Sequence, residues 1–157
     1  MNAAALLEQS HMLVLQTVED FPEDQWDTPG ACGDWSVKDT VAHLAVYEHL
    51  LVDLLNTLVN DTPTPYIDKF VNQRAEFNTS EAEARQYHTA QQIIDEYNET
   101  QLQSSDLLAK IPAEKITQAG TIPWSNERCL ADQITIFYKH TNDHCMQIKA
   151  FRDKEHE

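Results

Sequence analysis

Of the seven histidines in the chain, three stand where a coordinating group would be useful. His140 and His144 are four residues apart, so on a helix both rings leave one face about one turn from each other, the spacing of a chelate. His43 lies in a second apolar-patterned segment, beside Leu44 and inside the arc of Tyr47, Leu50 and Leu54. A single inward histidine is most simply a core residue with a satisfied ring. A pair of adjacent imidazoles is different, because buried polar groups cost free energy unless each finds a partner. A shared ion would supply that partner. Three neutral imidazoles suit a divalent metal such as Zn²⁺, Ni²⁺ or Fe²⁺, and three protein ligands leave positions open for water or substrate, the catalytic pattern. An ion held this way lowers the pKa of a bound water or thiol and so makes a nucleophile.

The elements that must carry these residues read as four long helices. Residues 2–20 place Leu7, His11, Val14, Val18 and Phe21 at four-three spacing, ended by Pro22 and the Pro29-Gly30 turn. Ser36 opens the second helix with Asp39 three places on, a capping box. Its seam is Val37, Val41, Leu44, Glu48, Leu51, Leu55 and Leu58. Pro63 and Pro65 start a long connection over 61–79, with room for a helical turn near Tyr66–Arg74. Ser80 with Glu83 is read as the capping box of a third, more polar helix running to about Lys110. Ser125, after Trp124, is read as the cap of the fourth, whose seam is Leu130, Ile134, Phe137, Thr141, His144, Ile148 and Phe151. With only three glycines there are too few turn residues for a β-sandwich or barrel. The expectation is all-α: a four-helix bundle in one domain spanning 1–157. A weak internal repeat agrees, since a Pro-containing loop and a Trp-Ser pair (Trp35-Ser36, Trp124-Ser125) precede helices in both halves.

Depth along the bundle constrains the topology. His43 is eight residues after Trp35, whereas His140 and His144 are 16 and 20 after Trp124. Were helices 2 and 4 parallel, the mismatch would be roughly 12–18 Å at 1.5 Å per residue. A shared ion therefore requires them antiparallel. That means an up-down-down-up bundle, with the 61–79 connection as the crossover between helices 2 and 3.

Two segments carry a family resemblance. Gly33-Asp34-Trp35-Ser36-Val37-Lys38-Asp39-Thr40-Val41-Ala42-His43-Leu44 resembles the helix-2 signature of the DinB-like superfamily of metal-binding four-helix bundles. Tyr138-Lys139-His140-Thr141-Asn142-Asp143-His144-Cys145-Met146-Gln147-Ile148 resembles its helix-4 signature. With the preceding Pro29-Gly30-Ala31-Cys32, the first segment is also similar to the ClbS/DfsB-type branch. The resemblance implies the crossed topology and a divalent metal on His43, His140 and His144. It also implies thiol-dependent transferase or isomerase chemistry, with mycothiol or bacillithiol as the low-molecular-weight thiol. The leading expectation is a metal-dependent enzyme acting on a small molecule by transfer or hydrolysis. The alternative is a non-enzymatic bundle that binds a toxic or stress-related small molecule.

Other polar residues are weighed against packing. His11, at a depth similar to His43, is a core histidine or pocket wall and otherwise a fourth ligand. Glu48 reads as an edge residue reaching solvent, or else as a base or ligand-orienting group. Tyr47 and Tyr138 read as packing or pocket lining, Cys145 as structural, and His49, His88 and His156 as surface. Trp35 and Trp124 anchor loop-to-helix junctions, and the acidic runs Glu19–Asp27 and Glu81–Glu83 read as solvated. Three cysteines at unrelated spacings fit reduced thiols. No stretch is apolar enough to span a bilayer, and the N-terminus lacks a basic flank and cleavage site, so a cytoplasmic protein is expected, with a homodimer as the expected pairing. The net charge of −15 repels phosphate and makes nucleic acid and anionic membrane poor partners. In a gel-shift assay at moderate ionic strength, duplex DNA should therefore migrate as free DNA; specific retention would contradict the charge reading.

Overall fold

The computed structural model describes residues 2–155; His156, read above as a surface residue, lies outside them. Within that range the chain forms seven α-helices, one 3₁₀ turn over Glu23–Gln25 and no β-strand. The helices are α1 (Ala3–Val18), α2 (Val37–Val59), α3 (Pro65–Asn72), α4 (Arg74–Ala84), α5 (Ala90–Ala109), α6 (Ala113–Ile116) and α7 (Leu130–Glu155). The long ones, α1, α2, α5 and α7, make the bundle.

Three layers of core fix their directions. One layer joins Val18 of α1, Val37 and Val41 of α2, Ile93 of α5, and Ile148 and Phe151 of α7. The middle layer joins Val14, Leu44, Tyr97 and Cys145. The third joins Leu7, Leu51, Leu55, Leu108, Leu130 and Ile134. Passing from first layer to third, residue numbers rise along α2 and α5 and fall along α1 and α7. Helices α2 and α5 are thus parallel to each other and antiparallel to α1 and α7, the up-down-down-up order that the histidine depths require.

Several local expectations need correction. The connection from α2 to α5 is longer than 61–79 and is itself helical, holding α3 and α4. Ser80 caps nothing: it sits inside α4, where its hydroxyl donates to the Phe77 carbonyl, and Phe77 is buried. The third bundle helix starts ten residues later at Ala90, capped by Thr89 and Gln92, each side chain taking the other's backbone N–H. Thr89-x-x-Gln92 is as good a capping box as Ser80-x-x-Glu83. Packing of Phe77 decides between them. Ser125 does not cap the fourth helix either. It closes a tight turn opposite Ile122, and α7 begins at Leu130 with Asp132 accepting the Cys129 N–H. The apparent repeat survives only as a turn, closed by Cys32 and Trp35 in one half and by Ile122 and Ser125 in the other. Trp35 therefore corresponds to Ser125, one residue out of the expected register.

The crossover is held by charge as well as by Ile67, Phe70 and Phe77, which it adds to the main core. Asp53 of α2 accepts the Tyr66 and Ile67 N–H groups and so caps α3 from across the fold. Arg85, 8% exposed, donates to Glu81, to Glu96 of α5 and to the Tyr66 hydroxyl, while Lys69 pairs with Glu81 at 2.7 Å. Glu81 is accordingly not the solvated residue expected of its acidic run. His49 is not a free surface residue either: it hydrogen-bonds Glu96 at 2.7 Å and stacks on Tyr66. Burial alone would raise the Glu96 carboxyl, but hydrogen bonds from His49 and Arg85 prevail and bring it down to about 2.

This network generates two expectations. Arg85→Met leaves Glu81 with Lys69 alone and Glu96 with His49 alone, and should cost about 3 kcal/mol in chemical denaturation. A carboxyl held below its usual range stabilises the fold above that range and stops doing so as pH falls through the folded value. Stability should therefore drop between about pH 4.5 and 2, and Glu96→Gln should flatten that drop in urea titrations; an unchanged slope would show that the pair is not coupled to folding.

Candidate metal centre

The site is assembled by the starts and middles of two helices. Gly30, Ala31 and Cys32 all direct their N–H groups to the Trp35 carbonyl, and Gly33 takes φ +58°, a conformation other residues enter only with strain. That turn sets the Trp35 ring 5.0 Å from the His43 ring. Ser36 and Asp39 then cap α2 reciprocally, so the helix starts at a defined residue and His43 falls on the face toward α7. Because α7 runs the other way, His140 and His144 meet His43 from the facing helix.

The three side chains converge through their Nε2 atoms. His43 Nε2 lies 2.9 Å from His140 Nε2, which lies 3.0 Å from His144 Nε2. Their nearest ligand atoms all fall within 4.8 Å of one another. For nitrogens about 2.1 Å from a common ion, bond angles of about 90–109° correspond to N···N separations of roughly 3.0–3.4 Å. The two close contacts are near that range.

The protonation chemistry of the trio is just as informative. His144 Nδ1 donates to Gln147 Oε1 at 2.8 Å, which leaves the His144 Nε2 lone pair turned toward His140. A neutral imidazole nitrogen either donates or accepts. If His140 Nε2 carries a proton for His144, it has no lone pair with which to accept from His43. If it carries a lone pair for His43, it opposes the lone pair of His144. No neutral arrangement gives each contact a hydrogen of its own, and a cation among the three nitrogens needs none. Burial, reinforced by His140 and His144, holds the His43 imidazole down to about 3. Burial and then His144 bring His140 to about 4. Both are neutral lone-pair donors at physiological pH.

His43 is buried, whereas His140 and His144 are half-buried. The buried arc of α7 passes instead through Cys145, packed with Val14, Leu44 and Tyr97. The expectation that His144 occupies the core seam is therefore corrected by about one position, because the α7 face toward α1 is the more deeply covered one. The pair sits at the margin of the bundle, which lets a solvent-borne molecule approach it.

Tyr47 joins the site: its ring is 4.7 Å from His43 and 4.8 Å from His140, and its hydroxyl donates to Asn78 of α4. His11 and Glu48 do not. They pair with each other at 2.6 Å on another face of α2, and Glu48, with its side chain 12% exposed, is no solvent-reaching edge residue. Tyr138 faces Gln9, Leu13 and Gln16 of α1, away from the trio. Sequence reasoning missed Gln147 and Asn78. Gln147 could have been found, being three residues after His144 on the same helix; Asn78 could not, because the sequence places it in the 61–79 connection and only the fold of α4 brings it to Tyr47.

Comparison with known proteins bears on this arrangement. Residues 6–148 match the DinB superfamily. The chain belongs to the DinB superfamily. Members of this superfamily often bind metal. A crystal structure of a protein from Streptococcus pneumoniae is similar in fold, with a TM-score of 0.79 at 13% identity over 98% of this chain and 91% of that one. No curated protein sequence matches this one. No helix among the described residues is long and apolar enough to cross a membrane.

A neutral cluster of this kind leaves a signature in acid. Histidines held below their usual range cost stability wherever the unfolded chain takes up protons that the fold refuses. Chelator-treated protein should lose melting temperature as pH falls from about 7 to 5, above the window in which Glu96 titrates. His43→Gln should remove part of that loss. Equal slopes for both proteins would show that the imidazoles are not held neutral by the fold.

Proposed function

We propose that this DinB-superfamily protein is a metal-dependent enzyme whose ion is held by His43, His140 and His144, with Zn²⁺, Ni²⁺ and Fe²⁺ as the chemically suited ions. One observation carries the reading: three Nε2 atoms meet at 2.9 and 3.0 Å, where neutral rings have a single hydrogen to share between the two contacts. When bound, the ion supplies Lewis acidity and an acidified water or thiol. The chain supplies the rest. Gln147 fixes the His144 tautomer, as outer partners of ligating histidines do. Trp35 and Tyr47 flank His43 and limit how its ring can turn. With three protein ligands and two of them half-buried, positions remain for a small-molecule substrate.

The reaction proposed is transfer or isomerisation with a low-molecular-weight thiol, or hydrolysis. The Pro29-Gly30-Ala31-Cys32-Gly33-Asp34-Trp35 segment supports placing the chain near the ClbS/DfsB-type branch. Non-enzymatic binding of a stress-related small molecule is the competing outcome of the assays.

Protein purified without chelator or affinity-column nickel should carry one divalent ion per chain by mass spectrometry. Added metal should stabilise the fold by RT ln(1 + [M]/Kd), about 2.7 kcal/mol at a hundred times Kd. His144→Ala should lose metal and that stabilisation, whereas the exposed His88, changed to Ala, should alter neither. A His144→Ala protein that still holds one tight ion, or wild type whose melting ignores verified metal removal, overturns the assignment.

A further inference from the structure

A second chemical constellation lies on the opposite side of α2 from the histidine trio. His11 of α1 is 3% exposed, and its Nε2 meets Glu48 Oε1 at 2.6 Å. The same carboxylate oxygen accepts the Ser104 hydroxyl at 2.6 Å, and Ser104 is fully buried. A carboxylate accepting at that distance puts a proton on His11 Nε2, and in the neutral ring the lone pair is then on Nδ1. That lone pair faces Ser105, whose hydroxyl oxygen is 3.4 Å away. Ser105 is exposed. It opens, with His11, into a groove of about 480 Å³ between α1 and α5.

We propose that Ser105, His11 and Glu48 form a nucleophilic site that accepts the acyl group of a small, uncharged or cationic carboxylic ester, independently of the metal centre. The roles follow from contact order: an exposed hydroxyl, a buried base with its free lone pair on that hydroxyl, and a carboxylate that holds the base's other nitrogen. The 3.4 Å separation is the looser spacing usual for a nucleophile and its base before substrate arrives. Leu7, Leu15 and Leu108 give the groove an apolar floor for the acyl chain, and Glu8 at its side disfavours an anionic substrate. Gln101 lines the same groove one helical turn before Ser105. One of its amide N–H groups goes to Asn98, which leaves the other for an acyl oxygen that becomes negative.

The chemistry closes without any further reactant but water. Ser105 Oγ adds to the acyl carbon as its proton passes to His11 Nδ1. The tetrahedral adduct collapses by breaking the bond to the ester oxygen, which leaves as the alcohol with the proton from His11. Water then adds to the acyl-serine, giving a proton to the same nitrogen, and the second collapse returns that proton to Ser105 and releases the acid. Glu48 touches no reacting atom and acts as a positioning residue through His11.

The full-length protein is treated with a fluorophosphonate probe and, separately, with p-nitrophenyl butyrate. One phosphonyl adduct per chain should map to Ser105 by peptide mass spectrometry, and Ser105→Ala should lose the adduct and about a hundredfold of the ester turnover. Glu48→Gln should lower kcat by roughly tenfold or more with KM unchanged, a split that a general loss of structure would not give. Circular dichroism checks each fold; if Glu48→Gln does not fold, the Ser105 adduct and Ser105→Ala decide. Chelation should leave labelling and turnover unchanged, which separates this site from the metal centre whether or not that centre binds an ion. No adduct on the wild type, an adduct elsewhere, turnover that survives Ser105→Ala, or labelling abolished by chelation overturns the proposal.

Discussion

His43 can meet His140 and His144 only because α2 and α7 run in opposite directions at contact distance. In a bundle made of short hairpins the second and fourth helices would be parallel, and at the depths these residues occupy the rings would be more than a helical turn apart. The chain avoids this by passing from the bottom of α2 back to the top before α5 begins. The turn at Trp35, the caps of α2 and the whole of α3 and α4 matter to the site through that one requirement.

The return segment explains where much of the protein's polar side-chain chemistry is placed. The two short helices dock through Ile67, Phe70 and Phe77, and helices this short need further contacts to hold their ends. Asp53 therefore caps α3 from α2, and Arg85 joins Glu81 of α4 to Glu96 of α5 while His49 completes the set from α2. Each buried charge in this group has a partner, the condition under which burial is tolerated. The same segment brings Asn78 to the Tyr47 hydroxyl, so the crossover both permits the histidine cluster and supplies part of its wall.

On its two sides α2 carries opposite solutions to the problem of a buried imidazole. His11, docked against Glu48, has a carboxylate to accept its proton and a clear tautomer. His43 is buried among other imidazoles with no carboxylate beside it, so burial first and its neighbours second keep the ring neutral, with one hydrogen to share among the contacts. A satisfied histidine beside an exposed hydroxyl suits proton transfer. An unsatisfied cluster of lone pairs suits a cation.

The sequence by itself determined the helical class, the four long amphipathic segments, the antiparallel relation of the second and fourth, and the three histidines that meet. These were legible because helix periodicity and residue depth depend on local geometry, 3.6 residues per turn and 1.5 Å per residue. Tertiary structure alone decided which of two capping boxes starts α5, that the connection is helical, that Glu48 and Glu81 are enclosed, and that Cys145 rather than His144 is the buried residue at its level of α7. Each of these depends on a partner distant in the chain: Phe77 packed beneath α4, His11 against Glu48, Arg85 against Glu81, Val14 against Cys145. Periodicity tells which face of a helix is apolar, but how deep each position lies on that face is set by the helices it meets.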